Sequence, residues 1–97
     1  MTSITLQNNQ WSVAGEILMD NANAVLVESN ALQITDNLKI DFSAVTDVDT
    51  AALSLLIEWQ RRALAANKNV VFTQLPQSLI SLAALYGVTE FIPLSTH

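Results

Sequence analysis

The residues best equipped for chemistry gather in one short stretch: Asp41, Asp47 and Asp49 in DFSAVTDVDT, followed at once by Thr50 and, one helical turn later, by Ser54. Three carboxylates from one loop are suitable donors for a magnesium ion, and a hydroxyl beside them can take phosphate or make a specific hydrogen bond. Caps and turn bonds explain the same aspartates without a metal. Nucleophilic catalysis would need a base beside the hydroxyl. The chain has no cysteine, and its one histidine, His97, is the last residue, where a frayed tail is the simpler expectation. No G-x-x-x-x-G-K-[ST] stretch is present to cradle a nucleotide. The residues therefore predict a protein that binds rather than an enzyme, with no catalytic residue, no metal and no cofactor.

Two elements must position this cluster. Leu38 onward reads as a short buried strand, Asp41, Asp47 and Asp49 fall in the loop after it, and the period then changes to 3.6 residues. Asp49 is placed as the N-cap of the helix, where its carboxylate accepts a backbone N–H of the first turn and complements the helix dipole. At 100° per residue, Ala52, Leu53, Leu56, Ile57, Trp59, Ala63 and Leu64 share the side the sheet should cover. Thr50, Ser54, Glu58, Arg61 and Ala65 share the other, flanked by Ala51, Leu55 and Arg62. A solvated face with a Glu58–Arg62 pair worth about 0.3 to 0.5 kcal/mol is one reading of that side. The other is a contact strip made of Asp49, Thr50, Ala51, Ser54, Leu55, Glu58 and Arg61, whose small residues let another backbone come close.

The remaining chain supplies a small mixed sheet. Ile4 to Leu6 and Trp11 to Ala14 flank Asn8-Asn9, which tolerate the left-handed conformations of a tight hairpin; Gly15-Glu16 is expected to end the second strand. Asp20 or Asn21 can cap a helix over Ala22 to Ile34, with Ala24, Val27, Ala31 and Ile34 on one face, although Val25-Leu26-Val27 also suits a strand. After a turn at Asn67-Lys68-Asn69, Val70 to Thr73 reads as a strand parallel to the central one. Pro76 opens a last helix with Leu79, Leu82, Ala83 and Tyr86 on its apolar face, Gly87 caps it, and Phe91-Ile92 is a short edge-strand candidate. Trp11, Trp59 and Tyr86 are read as packing residues. The fold class is α/β: about four strands with three helices packed on them, in one domain over residues 1–97.

Composition narrows the partners. Four basic residues, Lys39, Arg61, Arg62 and Lys68, stand against nine acidic ones, for a formal charge of −5. That balance cannot neutralise a phosphate backbone or hold an anionic lipid surface, so neither nucleic acid nor direct membrane contact is expected. The start MTSITLQNNQW lacks the basic and apolar regions of a signal peptide, and no run approaches the ~18 apolar residues of a membrane span. A soluble, cytoplasmic domain with protein partners is the expectation.

A resemblance sharpens it. DFSAVTDVDTAAL is similar to the signature of STAS domains, the fold of anti-sigma factor antagonists and of the cytoplasmic tails of sulfate transporters; SVAGEI resembles the family's second strand, and LPQSLISLAALYGVTEFI its C-terminal part. Within the family, Asp49-Thr50 followed by two small residues is most similar to the STAS subunit of bacterial phospholipid ABC transporters. The resemblance implies an accessory subunit that engages the transporter's ATPase through Thr50, lies at the inner membrane only through that partner, and serves outer-membrane lipid asymmetry. The alternative it leaves is an anti-sigma factor antagonist-like module that binds a regulatory kinase. Such modules carry a phosphorylated serine two places after the aspartate. Here that place is Ala51, with Ala52 where the family has glycine, so only Thr50 remains to be phosphorylated.

Overall fold

The computed structural model describes residues 3–88. Its elements run β1 (Ser3–Gln7), β2 (Gln10–Ile17), α1 (Ala22–Asn30), β3 (Leu38–Val48), α2 (Thr50–Ala65), β4 (Val70–Thr73) and α3 (Gln77–Leu85). The strands form one sheet in the order β1-β2-β3-β4, with β1 and β2 antiparallel and the other two pairings parallel. The α/β class, four strands and three helices are as the sequence predicts. Phe91-Ile92 and His97 lie outside the described residues.

Local chemistry explains the hairpin. Asn8 and Asn9 both adopt positive φ, 50° and 62°, the pair of left-handed conformations that lets a two-residue loop follow the twist of its strands. Beyond it, strand β2 outlasts the expected stop. Gly15 takes φ 93°, the register against β3 shifts between Gly15 and Glu16, and pairing resumes at Glu16–Asp47 and Ile17–Val48. The extra residue at this shift is Thr46 of β3, so Gly15 lies opposite a bulge instead of ending the strand, and the ladder recovers backbone bonds that an early end would forfeit. Strand β3 is correspondingly long, so Asp41 and Asp47 lie on it and not in a loop.

Every core side chain of the sheet falls on one face. Trp11, Ile40 and Phe72 form one row across β2, β3 and β4; Val13, Ile17, Leu38, Phe42 and Val70 complete that face. The next row on the opposite face is Ser12, Asp41 and Thr73. Helices α2 and α3 supply Ala52, Leu53, Leu55, Leu56, Trp59, Ala63, Leu79 and Ala83 to the same core. Trp11 and Trp59 meet edge to face at 5.6 Å, and Phe42 links Trp59 to Phe72 through contacts of 6.3 and 6.2 Å, separations at which aromatic pairs attract.

Helix α1 is shorter than expected, ending at Asn30 instead of Ile34, and it buries Val25 and Ser29 rather than the predicted Ala24, Val27 and Ala31 face. Val27 is exposed. Two distant side chains set this. The Trp59 indole N–H donates to Ser29 Oγ at 2.8 Å, drawing a polar residue inward. The Arg62 guanidinium donates to the carbonyls of Ser29 and Leu32, at 3.2 and 2.9 Å, and so closes the helix end. Helices α2 and α3 both stop through a left-handed residue. Asn67 (φ 59°) and Gly87 (φ 69°) donate to Leu64 and Ala84, and the following Lys68 and Val88 donate back to Ala63 and Ala83.

Candidate functional site

The site begins at Asp49. Its backbone is extended (φ −132°, ψ −166°), and its Oδ1 accepts the Ala51 N–H at 2.8 Å, the predicted N-cap. Its Oδ2 accepts the Met19 N–H at 2.9 Å, which ties the loop between β2 and α1 to the start of α2. That loop is braced a second time by Asn21, whose side chain accepts from Leu18 N and donates to Glu16 O. Asn21 holds the N-cap position of α1 but spends its amide on the loop. Asp49 therefore positions the site with both carboxylate oxygens engaged.

Thr50 and Ser54 are exposed on α2, one turn apart, with Ala51 half-buried beside them. They open onto a groove of about 470 Å³ whose other walls are Met19 from the loop, Leu53 and Ile57 from α2, and Tyr86 and Val88 from the end of α3. Met19 is 73% exposed, Tyr86 60% and Ile57 40%, so the hydroxyls sit within an apolar rim open to contact. Four residues depart from expectation. Leu55, assigned to the contact strip, is buried in the core, while Ile57 and Leu64, assigned to the covered side, are exposed. The covered arc centres on Ala52, Leu56, Trp59 and Ala63 and reaches Leu55 on one flank and Leu53 on the other, because α1 and α3 pack against α2 as well as the sheet. Tyr86, expected to pack, stands at the groove's rim because it is the last residue before the Gly87 turn.

Glu58 and Arg61 sit farther along the exposed side and pair with each other. Arg61 donates Nε to Glu58 Oε1 at 3.0 Å and a second nitrogen to Oε2, a two-pronged ion pair in place of the expected Glu58–Arg62 pair. The Arg61 guanidinium, mainly through this hydrogen bond, holds the Glu58 carboxyl below the usual range, and Glu58 raises Arg61 in turn. Arg62 is spent on α1. The three aspartates also part company: Asp41 accepts from Thr73 Oγ1 (3.0 Å) and Ser43 Oγ (2.6 Å) on the sheet's outer face, and Asp47 accepts from the Val48 N–H. Among the described residues no three metal-ligating side chains gather into one group.

Asp49 caps α2 and Thr50 and Ser54 are exposed, as the sequence predicts, whereas the apolar rim beside them was not expected. Met19 carried a signal, as the last of an apolar run, Ile17-Leu18-Met19, after a strand whose inward residues were already accounted for. Ile57 and Tyr86 carried none, since apolarity does not say on which side a neighbouring helix lies.

A four-stranded mixed sheet carries its core on one face, and a capped helix presents hydroxyls at its tip. A family profile described as "Mlab, STAS domain" matches residues 1–94, and the chain belongs to that family: it is a STAS domain of the MlaB type. No curated protein sequence matches it significantly. Among solved structures it is similar to the anti-sigma factor antagonist SpoIIAA in its unphosphorylated form, with a TM-score of 0.66 and 10% identity over 100% of this chain and 89% of that one. That likeness shows the fold. Among the described residues no helix is long and apolar enough to cross a membrane.

Proposed function

We propose that the chain, as one STAS domain over residues 1–97, is a non-enzymatic accessory subunit that binds the ATPase of a phospholipid ABC transporter. It supports that transporter's assembly or activity and through it outer-membrane lipid asymmetry, working in the cytoplasm and meeting the inner membrane only through its partner. The MlaB-type match over residues 1–94 carries the reading. Its proposed contact surface is Thr50, Ala51 and Ser54 on the exposed tip of α2, with Met19, Ile57 and Tyr86 as the apolar rim. A partner helix seated there gains apolar burial from the rim and register from the hydroxyls.

The SpoIIAA-like fold favours a second reading, a signalling module that binds and releases a regulatory kinase. Ala51, without a hydroxyl, speaks against it at the family's usual phosphorylation position, and Thr50 is the residue left to carry phosphate. Titration of wild type, Thr50→Ala and Thr50→Glu against the candidate ATPase, with intact-mass measurement of protein from its native host, separates the two. The transporter reading expects unmodified Thr50 and constitutive binding. A phosphorylated fraction that tracks growth condition, or an ATPase affinity indifferent to both substitutions, overturns it.

A further inference from the structure

At the other end of α2 lies a second groove, of about 570 Å³, between the C-terminal ends of α1 and α2. Three of the chain's four basic residues, Arg61, Arg62 and Lys68, line it, and no acidic residue does. Its walls between them are aliphatic, from Leu32, Ile34 and Ala65. On a chain of formal charge −5 this is a local reversal of sign. We propose that this groove is a docking site for an acidic, extended segment of a partner protein.

Charge complementarity points to the occupant, and the aliphatic wall between the cations points to its chemical kind. Arg61 shares its charge with Glu58, whereas Arg62 donates only to neutral carbonyls and Lys68 reaches the groove from the turn that ends α2. Against these three cations stand Glu58 and Asp36, whose carboxylate accepts the Asn69 N–H beside Lys68, so a net positive charge remains. Between the cations lie the aliphatic side chains of Leu32, Ile34 and Ala65, to which a bare phosphate offers no apolar contact. A polypeptide suits both features. Its carboxylates reach the cations, and an apolar side chain between them rests on Leu32 and Ile34. The formal charge of −5 on the chain as a whole disfavours such a segment away from these cations. At 1.5 Å per residue, the groove's α2 side, Arg61 to Ala66, lies about 16 to 24 Å along the helix from Thr50. The inference does not rest on the transporter reading.

The test is titration of isotope-labelled protein with a fluorescent peptide alternating glutamate and leucine, followed by NMR and by anisotropy. The amides of Leu32, Ile34, Ala65 and Lys68 should shift and that of Thr50 should not. Affinity should fall with added salt. Lys68→Ala should weaken binding about three- to fivefold and Lys68→Glu roughly tenfold or more, with an unchanged circular dichroism spectrum. Arg61→Ala is the second variant and should act more strongly than Lys68→Ala, since it also frees the Glu58 carboxylate at the rim; Arg62 is left intact because it closes α1. Shifts centred elsewhere, equal binding of a lysine–leucine peptide, indifference to Lys68→Glu, or tighter binding of inorganic phosphate or phosphatidylglycerol vesicles would each overturn the proposal.

Discussion

At Thr50 a hydroxyl and a methyl group stand on the first turn of a helix whose start is fixed on both sides by Asp49. If Thr50 makes a buried bond in the complex, Thr50→Ala should cost about 1 to 3 kcal/mol, a loss of roughly 5- to 150-fold in affinity, read by calorimetry against the ATPase. Asp49→Ala should act differently, lowering the protein's own stability by about 1 kcal/mol through the lost cap and loosening the Met19 loop. A second residue-scale test lies in the core. Ser29→Ala would leave the Trp59 indole N–H buried without its acceptor and should cost about 1 to 3 kcal/mol in urea unfolding. In a Trp59→Phe background the same change should cost clearly less, and strictly additive costs would disprove the coupling. Glu58 supplies a pH test. Its carboxyl is held low by Arg61, so the pair favours the folded state above the ordinary glutamate range and loses that contribution as pH falls through the lowered value. An NMR titration should find its midpoint below that of an unpaired glutamate and restore it in Arg61→Ala.

The two sides of α2 should respond oppositely to charge. Leu55→Asp or Leu56→Asp buries an unpaired carboxylate where nothing among the core side chains can bond it, which should cost several kcal/mol and unfold a domain of this size. Ser54→Asp and Ile57→Asp, on the groove, should leave the melting temperature within a few degrees yet weaken ATPase binding. An unfolded Ile57→Asp alongside a stable Leu55→Asp would reverse the placement of the faces. The same helix shows what the sequence discloses and what it withholds. The Asp49 cap was legible because its acceptor and donor lie two residues apart. The alternation of Leu38, Ile40 and Phe42 was legible because only one face of the sheet is covered. The roles of Leu55, Ile57 and Leu64 were not, because they depend on how α1 and α3 lean on α2. Nothing in the sequence singled out Ser29, because the indole that buries it lies thirty residues away. Gly15-Glu16 read as the end of its strand because the strand that keeps it in the sheet comes later in the chain.

Across the whole molecule, one-sided construction sets how stability is distributed. Strand β3 is paired on both edges and carries Leu38, Ile40 and Phe42 into the core, beneath α2. Strand β1 is at the sheet's edge with one half-buried residue, Ile4, and the rest exposed. Its outer side is not left wholly bare. The Glu28 carboxylate accepts the Ile4 N–H at 3.0 Å, so α1 reaches over to the edge and blocks one position where another strand could add. Apart from that tie and the hairpin bonds, little holds β1 down, and local opening should precede global unfolding. Native-state hydrogen exchange should therefore show β1 amides exchanging at a markedly lower free energy than those of Ile40 and Phe42, which should exchange only on complete unfolding. Glu28→Ala should widen that gap by speeding β1 alone, leaving β3 where it was. Binding of the ATPase at Thr50 should slow exchange in the first turn of α2 and at Met19 without protecting β1, because the groove lies at the opposite end of β2 from the Asn8-Asn9 turn. Equal exchange energies in β1 and β3, or protection of β1 on ATPase binding, would show that the edge strand belongs to the rigid unit.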